Sequence, residues 1–110
     1  MKAIQIKQTG QPDVLEYLEI ERPRPGTGQV LIKVESISVN YEDTMMRRGV
    51  YPAMPPLPVI PGAECSGVVD SVGEGVTGLK PGQRVTLTGT QGCYDRVCCG
   101  KRRIGFPYPR

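Results

Sequence analysis

Residues 61–76 read PGAECSGVVDSVGEGV and residues 79–85 read LKPGQRV. The first stretch contains several valines, and β-branched residues of this kind are enriched in strands. Gly67 lies among them, at a place where a side chain would obstruct the approach of another backbone. Further glycines then mark a turn-rich connection, and Pro81 with Gly82 forms a second tight turn. The two stretches therefore predict two strands, the first of which packs closely against a neighbour at Gly67.

The composition of the chain favours a small, mainly β protein. Its 110 residues suffice for one domain with a modest core, and 14 glycines and 11 prolines are many for this length. Both residue types form turns and interrupt helices, so they suit short strands joined by tight loops. No apolar run approaches the ~20 residues that cross a bilayer, and the first residues lack the apolar stretch of a secretory signal. We therefore expect a cytoplasmic protein with no membrane partner.

Three further segments show the alternation typical of half-buried strands. Residues 2–7 alternate isoleucines with polar residues, and residues 14–20 carry apolar residues among acids. Residues 29–39 alternate most regularly, with aliphatic side chains on one face and Lys33 and Glu35 on the other. These segments predict a largely antiparallel β structure.

One segment changes to a helical pattern. Residues 41–48 have acids at their start and two arginines at their end, which matches the helix dipole. Asn40 is placed to cap the first turn, and Gly49 is placed to end the helix. Five prolines between residues 52 and 61 then predict an extended segment.

Charge and cysteine concentrate at the end of the chain. Residues 1–91 hold nine Lys and Arg against ten Asp and Glu, whereas residues 92–110 hold five basic residues and Asp95 alone. Without interleaved aromatic residues or a recognition motif, this pattern predicts a solvated basic segment and no nucleic-acid partner. Three of the four cysteines lie in the same segment, but the chain has no His and no Cys-x-x-Cys pair. We therefore expect thiols and no metal site.

Five ordered segments within residues 1–92 together resemble one known protein family. They are Lys2-Ala3, QVLIKV at 29–34, VNYEDTMMRRG at 39–49, PGAECSGVV at 61–69 and LKPGQRV at 79–85. Their order and spacing resemble the N-terminal GroES-like domain of the medium-chain dehydrogenase/reductase superfamily, in its zinc-independent quinone oxidoreductase (zeta-crystallin-like) branch. The resemblance implies a mainly β fold over residues 1–92, a GroES-like partly open β-barrel with one or two short helices.

The resemblance also implies that two metal ligands are missing. In zinc-dependent alcohol dehydrogenase relatives, the position matching Asn40 is a metal-binding Cys and the position matching Ala63 is a metal-binding His. A carboxamide and a methyl group cannot replace thiolate and imidazole on Zn²⁺. The resemblance therefore points to metal-free hydride transfer.

The same resemblance implies two cofactor-binding residues, Asn40 and Met45. In quinone oxidoreductase-like members, the Asn at position 40 faces the nicotinamide end of the cleft, where its amide can orient a cofactor or substrate oxygen. A helix cap is the competing interpretation of Asn40, and both stay open. A tyrosine that contacts NADPH is common at the position of Met45, which lacks the hydroxyl. For two nearby acids we favour structural roles: a helix-dipole contact for Asp43 and a salt bridge to an arginine for Glu64.

The sequence contains no recognisable Rossmann unit. Gly73, Gly75 and Gly78 superficially fit G-x-G-x-x-G, but Pro81 and Gly82 follow and end any helix before it could present N–H groups to phosphate.

By resemblance, the chain is predicted to be the substrate-side domain of an NADPH-dependent, zinc-independent oxidoreductase. The complete enzyme would reduce a small carbonyl, quinone or enone and could form a homodimer, whereas this domain alone is expected to be inactive. The alternative is a stand-alone GroES-like binding or self-association module without redox activity.

Residues 93–110 diverge from the family pattern. Family members typically continue after Gly92 with a strand like GGYAEYVV, whereas this chain reads CYDRVCCGKRRIGFPYPR. A one-base shift of plausible codons converts residues 96–99 into a sequence compatible with Glu-Tyr-Val-Val. This favours a frameshift near residues 93–95 and a premature stop after Arg110. A cut domain or a divergent Cys-rich tail is the competing interpretation, and the source DNA would distinguish them.

Overall fold

The computed structural model describes residues 1–89, 92–95, 97–101 and 104–105. Within these residues the chain is built mainly of strands, with one short α-helix. The elements are β1 (Lys2–Ile6), a 3₁₀ helix (Pro12–Val14), β2 (Leu15–Glu19), β3 (Gln29–Ile37), α1 (Tyr41–Arg48), β4 (Cys65–Val72), β5 (Arg84–Leu87), β6 (Val97–Lys101) and β7 (Ile104–Gly105). The predicted mainly β fold is confirmed.

The strands form two antiparallel sheets. β1 and β2 pair with each other, and the larger sheet has the order β6-β3-β4-β5-β7. Two isolated bridges, Ala3 with Asp95 and Ile6 with Val59, tie β1 to the rest of the chain. Because the described strands form two separate sheets that do not close on one another, the arrangement matches a partly open barrel.

The pairing of β3 with β4 explains the glycine at position 67. Gly67 lies opposite Val34, and a Cβ atom there would come within 2.9 Å of the Lys33 carbonyl carbon and nearer still to its oxygen. The predicted close backbone approach is therefore confirmed. The same pairing shifts register between Leu31 and Ile32 and again between Val34 and Ser36.

Two apolar clusters hold the fold together. The larger one lies mainly between β3, β4 and β5, and the smaller one seats α1 through Met46 against Ile6 and Val59. The buried members of the larger cluster are Val30, Ile32, Cys65, Val69, Val85, Leu87 and Cys93. Removal of apolar side chains from water is the main force that positions α1, through the smaller cluster, and the segment around Cys93, through the larger one.

The connection between β4 and β5 contains no helix. Gly73 donates its backbone N–H to Gln29 at 2.7 Å, and Gly82 donates to Val69 at 2.8 Å. Residues 73–83 are therefore a sequence of turns folded back on the sheet. The prediction that the G-x-G-x-x-G match is a false positive is confirmed.

Part of the divergent segment belongs to the larger sheet. β6 pairs with β3, and β7 pairs with β5. Residues 96, 102, 103 and 106–110 lie outside the described residues, so the predicted solvated basic character of this end stays a prediction, as does its origin in a frameshift. No helix in the described part of the chain has the length and apolarity required to cross a membrane.

Candidate functional site

The predicted helix begins and ends where the sequence indicates. Asn40 is the N-cap residue with an extended backbone, and Gly49 is the C-cap with a left-handed φ of 79°. Gly49 and Val50 donate their backbone N–H groups to the carbonyls of Met46 and Met45 at 3.1 and 2.9 Å. Only glycine takes such a φ without steric cost, so position 49 fixes the helix end.

Asp43 is the centre of a hydrogen-bond network at the start of α1. Its Oδ2 accepts the backbone N–H of Asn40 at 2.9 Å, which closes a capping box, and the phenol of Tyr94 at 2.7 Å. Asp43 is only 5% exposed, and among the described residues its buried Oδ1 has no hydrogen-bond partner. Asp43 lies in the first turn of α1, as the predicted helix-dipole contact requires, and its bonds to the Asn40 backbone and to Tyr94 are additions to that prediction.

Glu64 joins the same network through the Asn40 side chain. Nδ2 of Asn40 donates to Oε2 of Glu64 at 3.1 Å. Glu64 lies directly before β4, and its backbone carbonyl accepts the N–H of Ser38 at 3.2 Å. Within the described residues the Glu64 carboxylate therefore bonds to an amide. The sequence had predicted a salt bridge to an arginine instead.

Tyr94 is the member of the network that sequence reasoning missed. Its backbone N–H donates to Pro61 at 3.0 Å, and its carbonyl accepts the N–H of Ile4 at 2.9 Å. Its ring lies on Gly62, where φ is 102° and a Cβ atom would come within 2.5 Å of the ring. Burial, followed by the hydrogen bond to Asp43, raises the pKa of Tyr94 above its ordinary value. The strand that family members typically form at this point begins with a Gly-Gly-Tyr pattern. That pattern could have identified Tyr94 as a candidate.

Both sequence neighbours of Asn40 are exposed. Val39 is 74% exposed and Tyr41 is 72% exposed, while Asn40 itself is half-buried. Met45 is half-buried and lies four residues after Tyr41, on the same side of α1. Ala63 is buried. The structure thus places Asn40 within the network and leaves Met45 outside the hydrogen bonds of that network.

Among the residues that the structure describes, three carboxylates lie at this site. Glu42 and Asp43 lie in the first turn of α1, and Glu64 contacts Asn40. A phosphate would be repelled by these groups, whereas a neutral group with hydrogen-bonding atoms would not. In the described part of the chain, no three His, Cys, Asp or Glu side chains are grouped as a metal ion requires.

An open groove borders the network on the Glu64 side. Its volume is about 300 Å³, and most of its lining side chains are short and carry hydroxyl groups. They are Ser36, Ile37, Ser38, Glu64, Cys65, Ser66, Thr86 and Thr88. Space for a small organic molecule therefore exists beside the Asn40–Glu64 pair.

Comparison with known proteins relates the chain to a family. Residues 26–106 match the family of alcohol dehydrogenase GroES-like domains. Quinone oxidoreductase of Rattus norvegicus is 37% identical to the chain over an alignment of 111 positions. The alignment covers 99% of this chain and 34% of the rat protein.

Two solved structures share the fold. Escherichia coli quinone oxidoreductase complexed with NADPH superposes with a TM-score of 0.84 at 33% identity, covering 91% of this chain and 31% of that one. Human synaptic vesicle membrane protein VAT-1 homolog-like protein gives a TM-score of 0.92 at 29% identity, covering 99% of this chain and 35% of that one. The chain thus spans about one third of the length of these relatives.

Proposed function

The chain belongs to the family of alcohol dehydrogenase GroES-like domains, and we propose that it is the N-terminal, substrate-side domain of an NADPH-dependent, zinc-independent oxidoreductase. The predicted resemblance to quinone oxidoreductases is confirmed by the relatives described above. The complete enzyme would reduce a small quinone, enone or other electron-poor carbonyl compound. The 110 residues alone are expected to be inactive.

The observation that carries this proposal is the setting of Asn40. Its amide lies at the start of α1, bonded to Glu64 and flanked along the chain by exposed Val39 and Tyr41. An amide offers N–H donors and a carbonyl acceptor, so it can orient an uncharged oxygen or carboxamide. The resemblance implies metal ligands at this position and at that of Ala63 in zinc-dependent relatives, and a carboxamide and a methyl group do not replace a thiolate and an imidazole on Zn²⁺.

The residues of this site suit one end of NADPH better than the other. The carboxylates of Glu42, Asp43 and Glu64 would repel a pyrophosphate. The Asn40 amide and the ring of Tyr41 suit a neutral nicotinamide ring. Asn40 and Met45 are therefore assigned to the nicotinamide end. Bound NADPH supplies a hydride, and the protein contributes orientation of the ring and of the acceptor.

The acceptor is assigned to the space beside Asn40. An N–H of its amide donates to the acceptor oxygen, and the nearby carboxylates disfavour anionic acceptors. The groove lined by Glu64, the residue to which the Asn40 amide donates, leaves room for a small molecule. These features support a neutral carbonyl or quinone as substrate.

A chimera tests the proposed function. Residues 1–92 of this chain would replace the matching segment of Escherichia coli quinone oxidoreductase, and NADPH oxidation would be followed with p-benzoquinone. We expect no activity from the 110-residue chain and quinone-dependent activity from the chimera. A folded chimera that binds NADPH but leaves quinone unreduced would contradict the proposal.

A second candidate function is self-association without redox chemistry. β2 pairs with β1 on one side, and no described strand pairs with its other edge, where Leu15 and Tyr17 are exposed. Light scattering on the purified chain would reveal a defined oligomer if this function holds, and the chimera would then be inactive. The cytoplasmic location, the homodimer of the full enzyme and the lack of a nucleic-acid partner stay predictions.

A further inference from the structure

We propose that Asp43, Glu64 and Tyr94 are positioning residues that fix both the backbone and the side-chain amide of Asn40. The functional consequence, a defined donor for the acceptor oxygen, rests on the function proposed above. The positioning itself is a property of the 110-residue chain and can be measured without cofactor or substrate.

The backbone of Asn40 is held through a shared oxygen. Oδ2 of Asp43 accepts from the Asn40 N–H at 2.9 Å and from the Tyr94 hydroxyl at 2.7 Å. Hydrogen bonds to an ionised, buried carboxylate are stronger than neutral ones, so both donors are tightly held. Asp43 thus connects Asn40 to Tyr94, which lies 51 positions after Asp43 along the chain.

Tyr94 is anchored independently of α1. Its backbone bonds to Pro61 and Ile4, and its ring rests on Gly62, where no side chain larger than hydrogen fits. The Tyr94 hydroxyl therefore locates the Asp43 carboxylate relative to β1 and to the segment before β4. A cap within the helix alone would leave that relation undetermined.

The side chain of Asn40 is oriented by the chemistry of Glu64. An ionised carboxylate only accepts hydrogen bonds, whereas the Asn amide has a donor end and an acceptor end. The 3.1 Å contact between Nδ2 of Asn40 and Oε2 of Glu64 satisfies that requirement. The reversed amide would place two acceptors against each other. Glu64 therefore selects which end of the amide faces the ligand and leaves the second Nδ2 hydrogen for an acceptor oxygen.

Glutamine at position 64 would remove this selection without changing the size of the side chain. Its terminal amide can accept or donate, so it bonds equally well to either end of Asn40. Phenylalanine at position 94 would likewise keep the ring on Gly62 and remove only the hydroxyl. The two substitutions thus separate orientation from packing.

The test uses the fact that Asn40 is the only asparagine in the sequence. Labelling with ¹⁵N-asparagine gives one backbone amide resonance and one pair of side-chain amide resonances in an NMR spectrum of the intact chain. In Glu64→Gln we expect the downfield side-chain proton to move upfield and the pair to converge. The exposed Glu74→Gln is the matched control and should leave the pair in place.

The Tyr94→Phe variant tests how firmly the backbone of Asn40 is held. In Tyr94→Phe we expect the Asn40 backbone N–H to exchange with solvent about fivefold faster, as loss of one ordinary hydrogen bond predicts. Tyr17→Phe, an exposed hydroxyl on β2, is the control. If Tyr94→Phe does not fold, the Glu64→Gln spectrum decides alone.

The outcomes separate the positioning role from the proposed function. Side-chain resonances that do not move in Glu64→Gln would overturn the positioning role and leave the oxidoreductase proposal untouched. Resonances that move as expected, together with an inactive chimera, would support positioning and refute the proposed function.

Discussion

Replacement of Gly67 by alanine tests how the larger sheet is built. Gly67 lies in β4 opposite Val34 of β3, and the added methyl would lie 2.9 Å from the Lys33 carbonyl carbon and 3.1 Å from Ile32 Cγ2. It would come nearer still to the carbonyl oxygen, which belongs to the backbone and cannot rotate away. The strands must therefore separate locally.

The size of the effect follows from the ladder between β3 and β4. Overpacking alone costs about 1–3 kcal/mol. Separation of the strands also weakens one or two ladder hydrogen bonds, each contributing about 1 kcal/mol. We expect Gly67→Ala to lower the free energy of unfolding by about 2–5 kcal/mol, a large share of the ~5–15 kcal/mol that stabilises a typical domain.

A second glycine provides the control for this prediction. Gly75 has a φ of 80°, and no atom lies within 4 Å of the position that an added Cβ would take. Gly75→Ala therefore meets only the backbone penalty of about 1 kcal/mol. Urea unfolding followed by far-ultraviolet circular dichroism gives both free energies. Equal losses in the two variants, with unchanged denaturant slopes, would refute the close approach at Gly67.

Three further predictions concern the network and the surface. Asp43→Asn should lower the free energy of unfolding by about 1–3 kcal/mol, because two donors lose a charged acceptor, whereas Glu42→Gln in the same helix turn should cost less than ~1 kcal/mol in the same urea assay. The pKa of Tyr94 is higher in the folded chain than in the unfolded chain. As pH rises, the unfolded chain therefore loses the phenolic proton at a lower pH than the folded chain does. Stability should therefore fall above pH ~10, and the urea midpoint of Tyr94→Phe should fall less over that range. Arg22→Ala breaks a 2.6 Å ion pair with Asp70, but both side chains are exposed. Its cost should stay below ~1 kcal/mol and shrink in added salt, and a larger loss that salt does not change would contradict this.

Local sequence signals were sufficient to predict much of the fold. The alternation after Gln29 predicted β3, and Asn40 and Gly49 bounded α1 correctly, because caps and strand periodicity act over a few residues. Gly67 also revealed its close contact, since a glycine within a run of valines often marks the place where another backbone approaches the strand.

The sequence did not predict contacts between distant segments. The register shift beside Leu31 buries this residue together with Val30 and Ile32, a run that strict alternation does not predict. The bonds of Asp43 to Tyr94 and of Asn40 to Glu64 join residues 51 and 24 positions apart. Their pairing depends on how β4 and the segment at Cys93 pack, which no local pattern encodes.

The most direct test of the central claim, that Asn40 borders the reacting groups, is the kcat/KM of the chimera for p-benzoquinone with Asn40→Ser. Serine is a favoured N-cap residue that lacks the amide, so we expect the effect on stability to be small. We predict a loss of about tenfold, which corresponds to one hydrogen bond made in the transition state, while Gln11→Ala at an exposed position changes nothing. An unchanged kcat/KM in Asn40→Ser would contradict the claim.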